Sequence, residues 1–255
     1  MADTLANIGS VANSVFVSGS NVYVAGATSS GAATLWKNGV ADTLTNNGYT
    51  VASSVFVSGS NIYVAGTTNS GATLWVNGVA TSLTGGANAN SVFVSGSDVY
   101  VAGNTISGAI IWKNGVADTN TLAIYLSATS VYDSGSNVYV TLFTGDNALL
   151  WVNGAATYLP GGYDASSVFV SGSNVYVAGT GSTSAAILWK NGAATSLTGT
   201  SVSASASSVF VSGSDVYVAG TTTGLATIWV NGVATSLVLA NNGGYTVANS
   251  VFVTH

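Results

Sequence analysis

The stretch that decides the fold is Ser54–Asn90, SVFVSGSNIYVAGTTNSGATLWVNGVATSLTGGANAN. It divides into four short extended pieces. In SVFVS, Val55 and Val57 fall on one face and Phe56 on the other; in NIYVAG, Tyr63 alternates with Ile62 and Val64. β-Branched and aromatic residues at period two specify strand rather than helix. The small, turn-forming SGSN between these pieces predicts a hairpin. The third and fourth pieces, ATLWVN and VATSLT, meet at Asn77-Gly78. Asn-Gly between apolar runs is a strong hairpin signal, because both central residues need positive φ. The unit therefore reads as a four-stranded antiparallel meander.

The same unit recurs along the chain, with starts at Ser14, Ser54, Ser91, Ser130, Ser167 and Ser208 and a stub, SVFVTH, at the end. The tryptophans of its W[KV]NG signature, Trp36, Trp75, Trp112, Trp151, Trp189 and Trp229, are spaced 37 to 40 residues apart. A sheet of this size has two apolar faces and cannot cover both alone, so copies must stack. Stacked four-stranded blades closing into a ring make a β-propeller. The expected fold is all-β, a six-bladed β-propeller of four-stranded antiparallel blades, SVFVS innermost and VATSL outermost. It forms a single domain over 1–255 with repeats at about 14–53, 54–90, 91–129, 130–166, 167–207 and 208–249. Two tandem β-trefoils, which also need six such units, are the alternative. An outer-membrane barrel needs strands of about 9–11 residues, longer than these.

Two further patterns sit on this frame. The ends overlap: residues 2–5 add a spare fourth-strand segment in front, and residues 250–253 add a spare first-strand segment behind. A spare strand is a template for pairing, so self-association through terminal strands is expected. The residue after each Trp alternates as Lys37, Val76, Lys113, Val152, Lys190, Val230. That order fits duplication of a two-blade unit, or an exposed position that tolerates either residue.

Composition removes most chemistries. Charged residues make up only 4%, and the chain has no Cys, Glu, Gln or Arg. Three lysines cannot neutralise a nucleic-acid backbone, so no nucleic acid partner is expected. Without cysteine there is neither a disulfide framework nor a thiolate metal site. No basic-then-apolar leader of the secretory kind is visible. No apolar run reaches about 18 residues, so no membrane partner is expected either. The only His is terminal His255, which leaves no credible Ser-His-Asp arrangement. The expectation is no enzyme, no catalytic residues, no cofactor and no metal.

The acids read as turn chemistry. Asp98 and Asp215 stand where the other copies have Asn, in a hairpin where Asx residues hydrogen-bond their own backbone. Asp42 and Asp118 share a position after NGVA. Asp133, Asp146 and Asp164 lie in or beside the divergent fourth copy, but no spaced Asp loop for Ca²⁺ is present. Periodic aromatics read as packing. Linker tyrosines Tyr49, Tyr158, Tyr163 and Tyr245 are the better ligand-binding candidates, since loops carry function. They are not placed equivalently in the repeat. A glycan is the partner such exposed rings would suit.

VFVSGSNVYVAG followed by LWKNG resembles bacterial repeat proteins of the VYVAG…WKNG type over nearly the whole chain. The resemblance implies a propeller fold, mostly unassigned functions, an extracellular origin and no catalytic residues to carry over. The charge-stripped pattern fits an engineered, consensus-like chain as well as a natural one. The function expected is a non-catalytic repeat scaffold, with a multivalent lectin-like carbohydrate- or protein-binding propeller as the alternative.

Overall fold

The computed structural model describes residues 9–46, 48–118, 127–199, 202–237 and 245–254. Six four-stranded antiparallel sheets follow one another, each with its strands in chain order. No helix occurs among the described residues. The protein is a six-bladed β-propeller. Because all four strands of each unit pair within that unit, the tandem-trefoil alternative falls away. The blades span 11–45, 51–82, 88–118, 127–158, 162–196 and 204–236.

Each hairpin forms for a local reason. Between the first two strands Ser18 pairs with Asn21, leaving Gly19 and Ser20 as a two-residue turn. Gly19 has φ +58° and Ser20 is not among the positive-φ residues, which is the II′ pattern. Between the third and fourth strands Asn77 and Gly78 have φ +51° and +82°, the I′ pattern.

The turn asparagine does more than accept positive φ. Its Oδ1 accepts the N–H of Ile62 and its Nδ2 donates to Asn61 Oδ1, both at 2.9 Å. Its backbone N–H donates to the Ile62 carbonyl, also at 2.9 Å. The same clamp recurs through Asn38, Asn114, Asn153, Asn191 and Asn231. In blades three and six the acceptor is Asp98 or Asp215, as the Asx reading of those positions requires.

The first strand begins three residues before SVFV. In blade one Val11 already pairs with Ala27, and the ladder slips between Ala12 and Ser14. This β-bulge explains the glycine of VYVAG. A Cβ on Gly26, Gly66, Gly103, Gly179 or Gly220 would lie 2.0 Å from the carbonyl oxygen of the first-strand residue just before the one it pairs with. No side chain fits there.

The chain divides into two compact units, Met1–Ala128 and Thr129–His255. In the first, Phe56 packs between Phe16 and Phe93, its ring tilted 50° and 56° to theirs at centroid distances of 4.7 and 4.8 Å. Ser14 Oγ accepts the Val55 N–H of the next blade, and Ser54 Oγ accepts that of Val92, both at 3.2 Å. Asn13 Nδ2 donates to the Ala52 carbonyl. Trp75 of blade two is fully buried and belongs to one apolar cluster with Tyr23, Ala25 and Leu35 of blade one.

The second unit repeats the scheme. Tyr132, Phe169 and Phe210 stack in series at 5.2 and 4.8 Å. Ser130 and Ser167 accept the N–H groups of Val168 and Val209 at 3.3 Å. The Thr129 hydroxyl donates to the Ala165 carbonyl, as Asn13 does in the first unit. Trp189 and Trp229 are fully buried. Of the two overlapping segments, 2–5 lies outside the described residues, whereas Val251 and Phe252 pack on blade six.

Two substitutions separate these contributions. Asn77→Gly keeps the positive φ but removes the side-chain clamp, and is expected to lower stability by about 1 kcal/mol. Asn77→Ala removes both and is expected to cost about 2–3 kcal/mol. Urea midpoints at constant slope measure the difference; equal losses would show that the side-chain clamp alone matters. Ser54→Ala leaves the Val92 N–H without its acceptor and is expected to cost about 1–2 kcal/mol by the same assay.

Candidate functional site

Among the described aromatic side chains, Tyr49, Tyr245, Tyr158 and Tyr163 are the four exposed ones, at 93%, 75%, 66% and 43%. The structure corrects one expectation about them: Tyr49 and Tyr245 are equivalently placed. Each precedes a threonine whose N–H donates to a turn carbonyl of the adjacent blade, Thr50 to Gly31 and Thr246 to Gly224, both at 2.8 Å. Each of those threonine hydroxyls accepts an N–H from that blade's third strand, Ala33 at 2.8 Å and Ala226 at 2.9 Å. The tyrosine ring then lies over the turn glycine. A Cβ on Gly31 would stand 3.2 Å from Tyr49 Cδ1, and one on Gly224 would stand 3.0 Å from Tyr245 Cδ2. The shared motif YTVA, at 49–52 and 245–248, is the signal that could have shown this.

The other two tyrosines belong to the join between blades four and five. Tyr158 ends the fourth strand of blade four, opposite Leu149. Tyr163, on the first strand of blade five, meets Phe143 edge-on at 5.4 Å. Between them Leu159-Pro160-Gly161-Gly162 carries the Pro160 carbonyl to Trp189 Nε1, which donates to it at 3.0 Å. The same L-x-G-G pattern at Leu83–Gly86 brings the Thr84 carbonyl to Trp112 Nε1 at 3.2 Å. No three His, Cys, Asp or Glu side chains come together as a metal-sized group among the described residues.

Asp164 follows Tyr163 and lies in surroundings that oppose its ionisation. Burial pushes it above its ordinary value of 3.8, although Ser166 Oγ donates to its Oδ2 at 2.8 Å. Asp98 behaves oppositely: the Lys113 ammonium, 2.8 Å away, and the Asn114 amide hold it below the ordinary carboxylate value. Sequence reasoning placed Asp164 beside the divergent copy but could not see its burial, nor the Phe143 contact.

The Lys/Val alternation has a local cause. Lys37, Lys113 and Lys190 lie opposite Tyr23, Tyr100 and Tyr176 across the second and third strands. Each ammonium sits 5.3–5.5 Å from its tyrosine ring centroid. Those three tyrosines are buried, whereas Tyr63, Tyr139 and Tyr217, opposite valine, are half-buried. The position is solvent-facing, and lysine there also covers a ring face.

No protein-family model matches the chain. No curated protein matches it either. Solved structures do. One is an extracellular domain assigned to a one-component system of B. thetaiotaomicron, with a TM-score of 0.61 at 10% identity over 95% of this chain and 36% of that one. A second is an extracellular domain assigned to a hybrid two-component system of the same organism, with a TM-score of 0.62 at 11% identity over 93% and 36%. A third is a prolyl endopeptidase, with a TM-score of 0.53 at 14% identity over 91% and 43%. The chain thus spans well under half of each. At such identities the likeness shows the propeller fold alone, met here in extracellular domains and in an enzyme alike.

Because burial raises Asp164 above its ordinary value, folding favours its protonated form more than the unfolded chain does. The associated stability is fully present below pH 3.8 and is lost as pH rises through the folded value. Asp164→Asn, which places at this site the amide that Asn88 supplies in blade three, is expected to raise Tm at pH 7 by about 1–3 °C. At pH 3 the two proteins should melt together. A variant less stable at pH 7 would mean that the charged carboxylate is itself a favourable partner.

Proposed function

We propose that the chain is a non-catalytic repeat scaffold, a propeller whose repeated residues serve the fold itself. One observation carries this reading: two polar side chains of the repeat, the NG-turn asparagine and the SVFV serine, are committed to internal hydrogen bonds. The asparagine of each NG turn clamps its own hairpin in all six blades. The serine of SVFV accepts an N–H from the next blade at Ser14, Ser54, Ser130 and Ser167. The glycine of VYVAG is excluded from carrying any side chain. These repeated residues serve structure, and what is exposed and aromatic does not repeat in every blade. An extracellular setting draws support from the two neighbouring extracellular domains.

A lectin-like binding role is the second reading, favoured by Tyr49 and Tyr245. They are two equivalently held, exposed rings, each over a glycine turn, with amide and hydroxyl groups at hand. A glycan array probed with the protein, and with the variant carrying Tyr49→Ser, Tyr158→Ser, Tyr163→Ser and Tyr245→Ser, separates the two. The scaffold reading expects no saturable glycan binding tighter than about 1 mM by either protein. Binding by the parent that is lost in a variant of unchanged Tm would overturn it in favour of the lectin.

A further inference from the structure

The segment YTVANSVFV, 245–253, is a seventh copy of the first strand, and its contacts to blade six can be compared bond for bond with those between complete blades. Val251 N–H donates to Ser208 Oγ at 3.3 Å, as Val209 N–H donates to Ser167 Oγ at 3.3 Å. Phe252 stacks on Phe210 at 4.7 Å, as Phe210 stacks on Phe169 at 4.8 Å. Thr246 N–H donates to the Gly224 carbonyl, as Thr50 N–H does to that of Gly31. Thr246 Oγ1 accepts the Ala226 N–H, as Thr50 Oγ1 accepts that of Ala33. Ala248 N–H donates to the Gly220 carbonyl at 3.0 Å, and Thr221 Oγ1 donates to the Thr246 carbonyl at 3.1 Å.

Each of these bonds joins blade six to nine residues of chain. None uses a second, third or fourth strand of the copy to which 245–253 belongs. The face of blade six thus recognises a bare first-strand segment by two hydroxyls, two main-chain carbonyls, one main-chain N–H and one aromatic ring. Nothing in that set depends on which molecule supplies the segment. From this we propose that blade six carries a docking site for the YTVANSVFV segment, filled in cis by residues 245–253 and filled in trans by the same segment of a second copy of the chain. The partner is therefore another molecule of this protein, joined by exchange of an identical element. This goes beyond the scaffold reading and stands on different contacts.

The test uses the full chain with a specific protease cleavage sequence inserted between residues 240 and 241. After cleavage the released C-terminal piece should co-elute with the body on gel filtration. A dye-labelled peptide YTVANSVFVT should then displace it, saturating at one per chain. The peptide carrying Phe252→Ala should bind at least tenfold more weakly, and so should the parent peptide to a cleaved body carrying Ser208→Ala. In trans, the uncut chain refolded at high concentration should yield dimers by light scattering, and excess free peptide should cut their fraction at least fivefold. Loss of the piece on cleavage, or equal exchange of the Phe252→Ala peptide, would overturn the docking site. Dimers that ignore the peptide, or a strictly monomeric refolded chain, would overturn exchange between copies.

Discussion

The contact on which the rest depends is the one between successive first strands. A serine hydroxyl on one blade takes the valine N–H of the next, and an aromatic ring stacks one residue further on. A chain with so little charge has few other directional contacts to use, since a single surface ion pair such as Lys113–Asp98 adds little. The first strands therefore set the blade spacing, and the buried tryptophans fill the gap that spacing creates. Removing a buried tryptophan side chain typically costs about 3–5 kcal/mol, so the packing term is large, but it is nearly non-directional. The serine bond supplies the register that the hydrophobic term lacks.

A second constraint is steric. The bulge in the first strand drives a carbonyl into the space where the second strand would carry a Cβ, and glycine is the answer in five blades. Blade four departs. Thr141 and Leu142 replace the Ala-Gly pair, Leu142 is fully buried, and the Thr129 hydroxyl contacts that of Thr141 and the Thr141 carbonyl. The same blade contributes Phe143 to the contact with Tyr163. Departure from the repeat and local asymmetry on the surface thus occur together, beside Asp164, whose ionisation burial opposes.

Most of the fold was legible because every local signal agreed with every other. Period-two apolar pattern, Asn-Gly turns and a repeat of 37 to 40 residues all pointed to four-stranded blades, and six sheets with strands in chain order are what the structure has. The bulge was not legible: nothing in VANSVFV marks the slip between Ala12 and Ser14, because a bulge is set by the partner strand rather than by propensity. The lysine alternation was visible as a pattern but not as a cause, since its ring partner lies about 14 residues away and only the hairpin brings them together. For the surface tyrosines, exposure followed from linker position. The shared environment of Tyr49 and Tyr245 needed the turn glycines beneath them, which sequence spacing alone does not align.

Repetition of the serine–valine contact also has a cost in information. The strand following blade one and the strand following blade five present the same hydroxyl, the same N–H and nearly the same ring, so the interface carries no address. What distinguishes the correct neighbour is tether length. Closing a loop of about 40 residues rather than one of about 200 is favoured by only about 1.4 kcal/mol, roughly tenfold. In such a chain the order of blades is written less in the side chains than in the thread that joins them, and assembly proceeds faithfully to the extent that each blade finds its predecessor before it meets any other.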